Sequence, residues 1–392
     1  MKDLKKRAID LHKELQGKIS TELKTQLNDK EDLSLVYSPG VAEPCKIIHE
    51  NIEEAYTYTG KANTIAVISD GSAVLGLGNI GPAAALPVME GKACLFKKFG
   101  GLNAVPVVLD TNDTEEIIKF VKLIAPTFGG VNLEDISSPR CIEIETRLKK
   151  ELDIPVFHDD QHGTAIVTIA ALINSLKLVN KRPEECNVVI SGVGAAGSSI
   201  IRMLNNFGVS DIFAFNSKGI LNRSEKYSNE LYNQLALETN REFQDLTLED
   251  AMKRADIFIG VSVPNKIDKR MVNSMRRDPI ILAMANPDPE ITYEDAKAAG
   301  AKIVGTGRSD YPNQVNNVLA FPGLFKGALK VKANKITEKM KYAAAEAIAG
   351  LIKDDELSED YVIPSVFDFG VADAVADSVA KCAVEEGVTK EY

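Results

Sequence analysis

An α/β protein of two units, each built on a mostly parallel sheet, is what this sequence predicts, and three observations predict it. The chain has 392 residues, 45% of them apolar, enough for two cores at roughly 100–200 residues per domain. Four strand-length apolar runs in its first part alternate with helix-patterned stretches, and each runs into acidic residues. A fifth run, Asn187–Ser191, leads straight into a glycine-rich turn and an amphipathic helix over 198–207. Strand–helix alternation of this kind packs as parallel sheets covered by helices.

Composition narrows the function. Lys and Arg number 46 against 56 Asp and Glu, a formal net charge of −10. That surface argues against nucleic acid or an anionic membrane as a partner, because both require clustered cations. Five scattered cysteines (Cys45, Cys94, Cys141, Cys186, Cys382) never fall in C-x-x-C spacing. They read as reduced thiols of a cytoplasmic protein. Met1–Leu15 is charged and helix-patterned, without the apolar segment of a signal peptide. The most apolar run, Thr164–Val179, is interrupted by Asn174 and Lys177 and reads as too short for a bilayer.

Taken in order, a helical N-terminus gives way to the loop Tyr37-Ser38-Pro39-Gly40. Thr64–Ser69 then runs into Asp70, Ala104–Leu109 into Asp110, Gly130–Leu133 into Glu134-Asp135, and Ile154–His158 into Asp159-Asp160. Helices are expected over 114–125 and 140–151, and a further one over Gly163–Lys177 bridges into the second unit. There, strands are expected at 187–191, 212–215, 256–261, 280–285 and 302–304, followed by an alanine-rich helical tail from Ala328. The division falls at 1–160 and 161–392. In such sheets ligands bind beyond the carboxyl ends of the strands, and here the first unit's strand ends carry acids.

Two stretches match G-x-G-x-x-G, and context separates them. Gly192-Val193-Gly194-Ala195-Ala196-Gly197 follows an apolar strand and opens a helix, the setting in which unpaired N–H groups receive a dinucleotide pyrophosphate. Gly76-Leu77-Gly78-Asn79-Ile80-Gly81 meets Pro82 at once and reads as a structural loop. After the next strand stands Asn216-Ser217-Lys218, where an acid would bind the ribose 2′-hydroxyl of NAD. Asn216 does not repel a 2′-phosphate and Lys218 can pair with one, which keeps NADP open beside NAD. A solvated Lys218 fits equally well.

Glu134, Asp135, Asp159 and Asp160 converge on neighbouring strand ends. Each alone fits helix capping; together they need a counter-charge, and oxygen-only donors favour Mg²⁺ or Mn²⁺. His158 and His162 read as supporting residues. Lys92, in an apolar stretch, can act as a base if its proton is loosened, against the commoner fate of a surface lysine. Tyr37 can supply a weak acid, or be an ordinary half-buried tyrosine.

With these residues in view, the chain resembles the malic enzymes of the short bacterial type over nearly its whole length. The matching motifs are Val36–Ala42, Ser69–Gly78, Glu90-Gly91-Lys92, Asn132–Asp135, Phe157–Thr164, Ala285-Asn286-Pro287 and Thr306–Asn317. The resemblance implies an amino-acid-dehydrogenase-like N-terminal substrate and metal domain, then a Rossmann NAD(P)-binding domain with a helical C-terminal tail. It implies oxidative decarboxylation of L-malate to pyruvate, with oxaloacetate also decarboxylated, NAD or NADP as cofactor, and Mg²⁺ or Mn²⁺. Carried over, Glu134, Asp135 and Asp160 hold the metal, Lys92 is the base and Tyr37 the acid. Asn286 and Asn317 hold substrate carboxylates, Asn286 also facing the cofactor, which binds at Gly192, Gly194, Ala195, Ala196, Gly197, Asn216 and Lys218. Asp159 and Thr164 are auxiliary. The arginine that larger animal enzymes place near Ala73 is missing here. A homodimer is implied, with Tyr37 reaching the neighbouring site as a hypothesis. Competing readings are a malolactic enzyme releasing lactate, a non-catalytic cofactor sensor, and a metal-free amino-acid dehydrogenase.

Overall fold

The structure, a computed structural model, describes residues 2–74, 76–368 and 370–390; Leu75 of the Ser69–Gly78 motif lies outside them. Two all-parallel sheets form from the expected runs. The first comprises β1 (Thr64–Ser69), β2 (Asn103–Val108), β3 (Gly130–Leu133) and β4 (Val156–His158), in the order β2-β1-β3-β4. The second comprises β5 (Asn187–Ser191), β6 (Asp211–Phe215), β7 (Ile257–Gly260), β8 (Ile280–Ala283) and β9 (Ile303–Thr306), in the order β6-β5-β7-β8-β9. In each sheet the first strand in sequence pairs with the second on one side and the third on the other. Chain direction therefore reverses beside it, and a crevice opens at the carboxyl ends of β1 and β3, and of β5 and β7.

One helix holds the two sheets together. Asp159–Val179 is buried on nearly every side, as an all-round apolar helix must be. Its residues share one core with β1 and β5. Among the described residues it is the one helix long and apolar enough to cross a bilayer, and 78% of that stretch is buried in the protein. The expectation of a run too short for a membrane is thus corrected: length suffices, and burial accounts for the apolar composition. The start is corrected too. The helix begins at Asp159, four residues ahead of Gly163, because β4 closes after three residues.

C-terminal helices return to the first sheet. Phe321 and Phe325, on the helix Phe321–Lys330, meet Phe96 edge-on at 4.7 and 5.5 Å, and Phe325 meets Phe157 at 5.9 Å. The helix Val371–Glu385 lies so close behind that a Cβ at Gly327 would fall 2.4 Å from the Ala376 carbonyl oxygen. The N-terminal helices behave differently. Lys30–Val36 and Ala42–Glu50 bury no residue at all; the first of them exposes Leu35, and the segment before it exposes Leu4, Ile9 and Leu23.

Candidate active site

The ends of both sheets face a single cleft of about 660 Å³, lined from one side by Asp135, Ser138 and Asp160 and from the other by Ala195, Ala196 and Ser262. On the first side, β3 ends at Leu133, and Glu134 continues it by donating its N–H to Ile68 at 2.9 Å. Asp135 then turns into the left-handed region (φ 53°), which Asp tolerates better than most residues. The turn is pinned at both ends. The Asp135 N–H donates to Asp160 Oδ2 at 2.8 Å, and its carbonyl accepts the Ala73 N–H at 2.9 Å. Oxygens of Glu134, Asp135 and Asp160 all lie within 4.8 Å of one another. Three hard donors at this spacing, with no thiol or imidazole among them, fit Mg²⁺ or Mn²⁺.

Lys92 projects from the helix Pro82–Leu95 into this cluster and is 7% exposed. Its ammonium pairs with Glu134 at 2.8 Å and with Asp159, and lies 4.0 Å from the centre of the Phe321 ring. Burial alone would loosen the proton, but Asp159, Glu134 and Asp160 outweigh it and hold the ammonium well above the usual lysine range. The expectation of a lowered pKa is therefore corrected for the side chains by themselves. Burial lifts Asp159 to about 6 despite Lys92. Asp160, which opens into the cleft, is likewise lifted to about 6, first by the protein around it and with Asp159 adding to the shift. Burial raises Glu134 as well. Crowded carboxylates of this kind are where a cation gains most.

On the other side, the three glycines divide the work. Gly192 (φ 103°) makes the turn, and a Cβ there would meet the Val261 carbonyl at 2.5 Å; one at Gly197 would fall 1.9 Å from the Gly192 carbonyl. At Gly194 a Cβ would touch nothing within 4 Å. That face is open to whatever enters, at the amino end of the helix Ala195–Phe207.

Other expected residues separate. Asn286, Asn317 and Thr164 line the cleft, and the Asn317 amide donates to Asp159. Asn216 uses its side-chain oxygen to close its own turn, accepting from the Lys218 and Gly219 N–H groups at 2.7 and 3.1 Å, while the Lys218 side chain is exposed. Tyr37 is 69% exposed and is not part of the cleft wall. The first glycine motif is more than a structural loop: Gly76 and Gly78 line the cleft, held there because Gly71 accepts the Gly81 and Ile80 N–H groups.

Residues 161–384 match the family model described as malic enzyme, NAD binding domain, and residues 16–149 that described as malic enzyme, N-terminal domain. The chain belongs to the malic enzyme family. A Bacillus subtilis protein named bifunctional malic/malolactic enzyme is 59% identical over 99% of this chain and 95% of its own length. The NAD-dependent malic enzyme of Geobacillus stearothermophilus is 54% identical over 96% of this chain and 78% of its own. The crystal structure of malic enzyme from Pyrococcus horikoshii matches with a TM-score of 0.95 at 46% identity, covering 99% of this chain and 92% of that one.

Two residues escaped the sequence reading of this malic enzyme family site. Glu290 is fully buried and accepts N–H groups from Ser262 at 2.8 Å and Ala285 at 3.0 Å, so one carboxylate fixes two loops of the cleft. Its place just after Asn286-Pro287 was the available signal. Arg140 gives its guanidinium to buried Asp70 at 2.8 Å and to Ser72 and Ser137 at 3.0 Å. It ties the loops after β1 and β3 together and is not among the residues that line the cleft.

Proposed function

We propose that this chain converts L-malate to pyruvate and CO₂ with reduction of NAD⁺ or NADP⁺, in a reaction that depends on Mg²⁺ or Mn²⁺, and that it also decarboxylates oxaloacetate. The observation that carries this reading is the meeting of a lysine and three convergent carboxylates with an open glycine turn across one cleft. A divalent cation held by Glu134, Asp135 and Asp160 would supply Lewis acidity, and a nicotinamide would take up hydride. The chain's own groups do the rest. Once its carboxylate partners are engaged, Lys92 loses the negative field that retains its proton and can remove the C2 hydroxyl proton as hydride leaves C2. Asn317 and Asp159 keep the amine aimed. Asn286 and Asn317 orient the substrate carboxylates, and Tyr37 returns a proton to C3 after CO₂ departs. Gly192, Gly194, Ala195, Ala196 and Gly197 receive the pyrophosphate, and the Asn216-Ser217-Lys218 turn itself carries no acid to reject a 2′-phosphate.

Tyr37 is exposed in a segment whose apolar residues are also exposed, and this supports a homodimer in which the arm of one copy brings Tyr37 to the cleft of the other. Mixing inactive Tyr37→Phe and Lys92→Ala proteins should then restore part of the activity through mixed dimers; no recovery would remove Tyr37 from the neighbouring site. The overall reading is tested by initial rates with malate, Mn²⁺ and each nucleotide, with and without EDTA. Failure to form NAD(P)H would overturn it. A second reading, release of lactate, is favoured by the name of the Bacillus subtilis relative; assaying lactate beside pyruvate separates the two.

A further inference from the structure

Behind the acidic cluster, and outside the cleft wall, runs a buried charged chain that no step above uses. Glu145, on the helix Arg140–Glu151, is 3% exposed. One of its oxygens accepts the His158 backbone N–H at 3.0 Å, and the other meets His162 Nε2 at 2.7 Å. The single carboxylate therefore holds the chain on both sides of Asp159-Asp160. His162 continues the line: its Nδ1 lies 2.9 Å from Lys341 Nζ and 2.9 Å from Ser199 Oγ. An ammonium only donates, so Nδ1 accepts and the ring proton sits on Nε2, facing Glu145. Lys341 is 1% exposed, comes from the helix Glu338–Ala349, and also pairs with Glu338 at 2.6 Å.

We propose that Lys341, through His162 and Glu145, is a positioning residue that fixes the helix start bearing Asp159 and Asp160. Buried charges lose hydration that ion pairing often only just repays, so an apolar trio of equal volume would serve packing as well. What apolar groups would not supply is direction. The Asp159–Val179 helix has no side-chain cap at His158; the Glu145 carboxylate instead anchors His158 itself by its backbone N–H, and Lys341 sets which imidazole nitrogen can bond to Glu145. Groups placed behind metal ligands in this way govern ligand orientation and affinity. The inference rests on the proposed metal site.

The test is Mn²⁺ titration followed by EPR of the free ion, on metal-stripped protein, beside kinetics and thermal melts. Lys341→Met keeps volume while removing the donor, and Glu145→Gln removes the anion. Each should weaken Mn²⁺ binding by about tenfold. At saturating Mn²⁺ each should lower kcat while leaving the nucleotide KM within twofold. Lys149→Met removes the other ammonium on Glu145, at 2.7 Å, without touching His162, and should leave Mn²⁺ affinity within twofold. Melts that fall while affinity and kcat stay at wild-type values would reduce the chain to a structural role and overturn the proposal. Equal weakening in Lys149→Met would overturn the route through His162. Asp135→Ala separates the two levels: if wild type and Asp135→Ala bind Mn²⁺ alike, the metal site itself falls and the proposal with it.

Discussion

The two sheets share a topology and differ in charge. Both place a crevice beside their first strand, at the carboxyl ends of β1 and β3 and of β5 and β7. At the first, the loops present Glu134 and Asp135, with Asp160 and Lys92 beside them. At the second they present glycine and alanine, whose contribution is backbone N–H groups and room. The same connection rule thus yields one end whose crowded carboxylates suit a cation and one whose open backbone N–H groups suit an anion. Fold supplies the position, and the residues just past each strand decide the chemistry.

The largest expected effect breaks the first end alone. Lys92→Ala should lower malate oxidation by roughly 10²–10⁴-fold, while nucleotide binding, followed by NAD(P)H fluorescence, stays within twofold. An alanine variant with near-normal turnover would take Lys92 out of the chemistry. The second end is probed by two glycines of one motif. A methyl at Gly194 meets no protein atom, so Gly194→Ala should melt like wild type yet raise the nucleotide KM by about tenfold. Gly197→Ala would press on the Gly192 carbonyl, so it should lose stability by about 1–3 kcal/mol as overpacking does. If Gly194→Ala left the nucleotide KM unchanged, the open face would not be where the cofactor approaches.

What was legible in the sequence follows from the same contrast. Short apolar runs announce themselves as strands, most plainly where they stop at an acid or a glycine, and all nine lie within a few residues of where the sequence predicts them. Asp159 and Asp160 read as strand-end residues although they open a helix, because acids favour both settings; in the fold the last residue of β4, His158, gives its N–H to Glu145 and the helix starts at once. The first glycine motif looked merely structural because its approach to the cleft depends on Gly71 accepting from Gly81, which no pattern rule encodes. Tyr37 could be read as an acid from its motif, but its placement on an exposed arm is a property of how that arm packs. Lys341 was invisible: it is one lysine in an alanine-rich helix, 179 residues from its histidine partner.

That lysine sharpens the comparison once more, since it lies on the second unit yet belongs to the electrostatics of the first. Burial, aided by Lys149, lowers Lys341 to about 8, while Glu338 and Glu145 oppose the shift; His162, the remaining group facing it, is held uncharged chiefly by its own burial. The sign follows from proton counts. Between about pH 8 and 10.5 the folded chain has released a proton that the unfolded chain still binds, so stability rises with pH across that window. Below it the buried ammonium is a standing cost. The stability of wild type, taken from thermal melts and measured against Lys341→Met, should therefore improve from pH 7 to pH 10 by on the order of 1–3 kcal/mol. A constant difference would mean that Glu338 and Glu145 outweigh burial, and that Lys341 stays charged throughout. In that case the chain to Glu145 would be held by full ion pairing, and its grip on the helix start would not loosen in alkali.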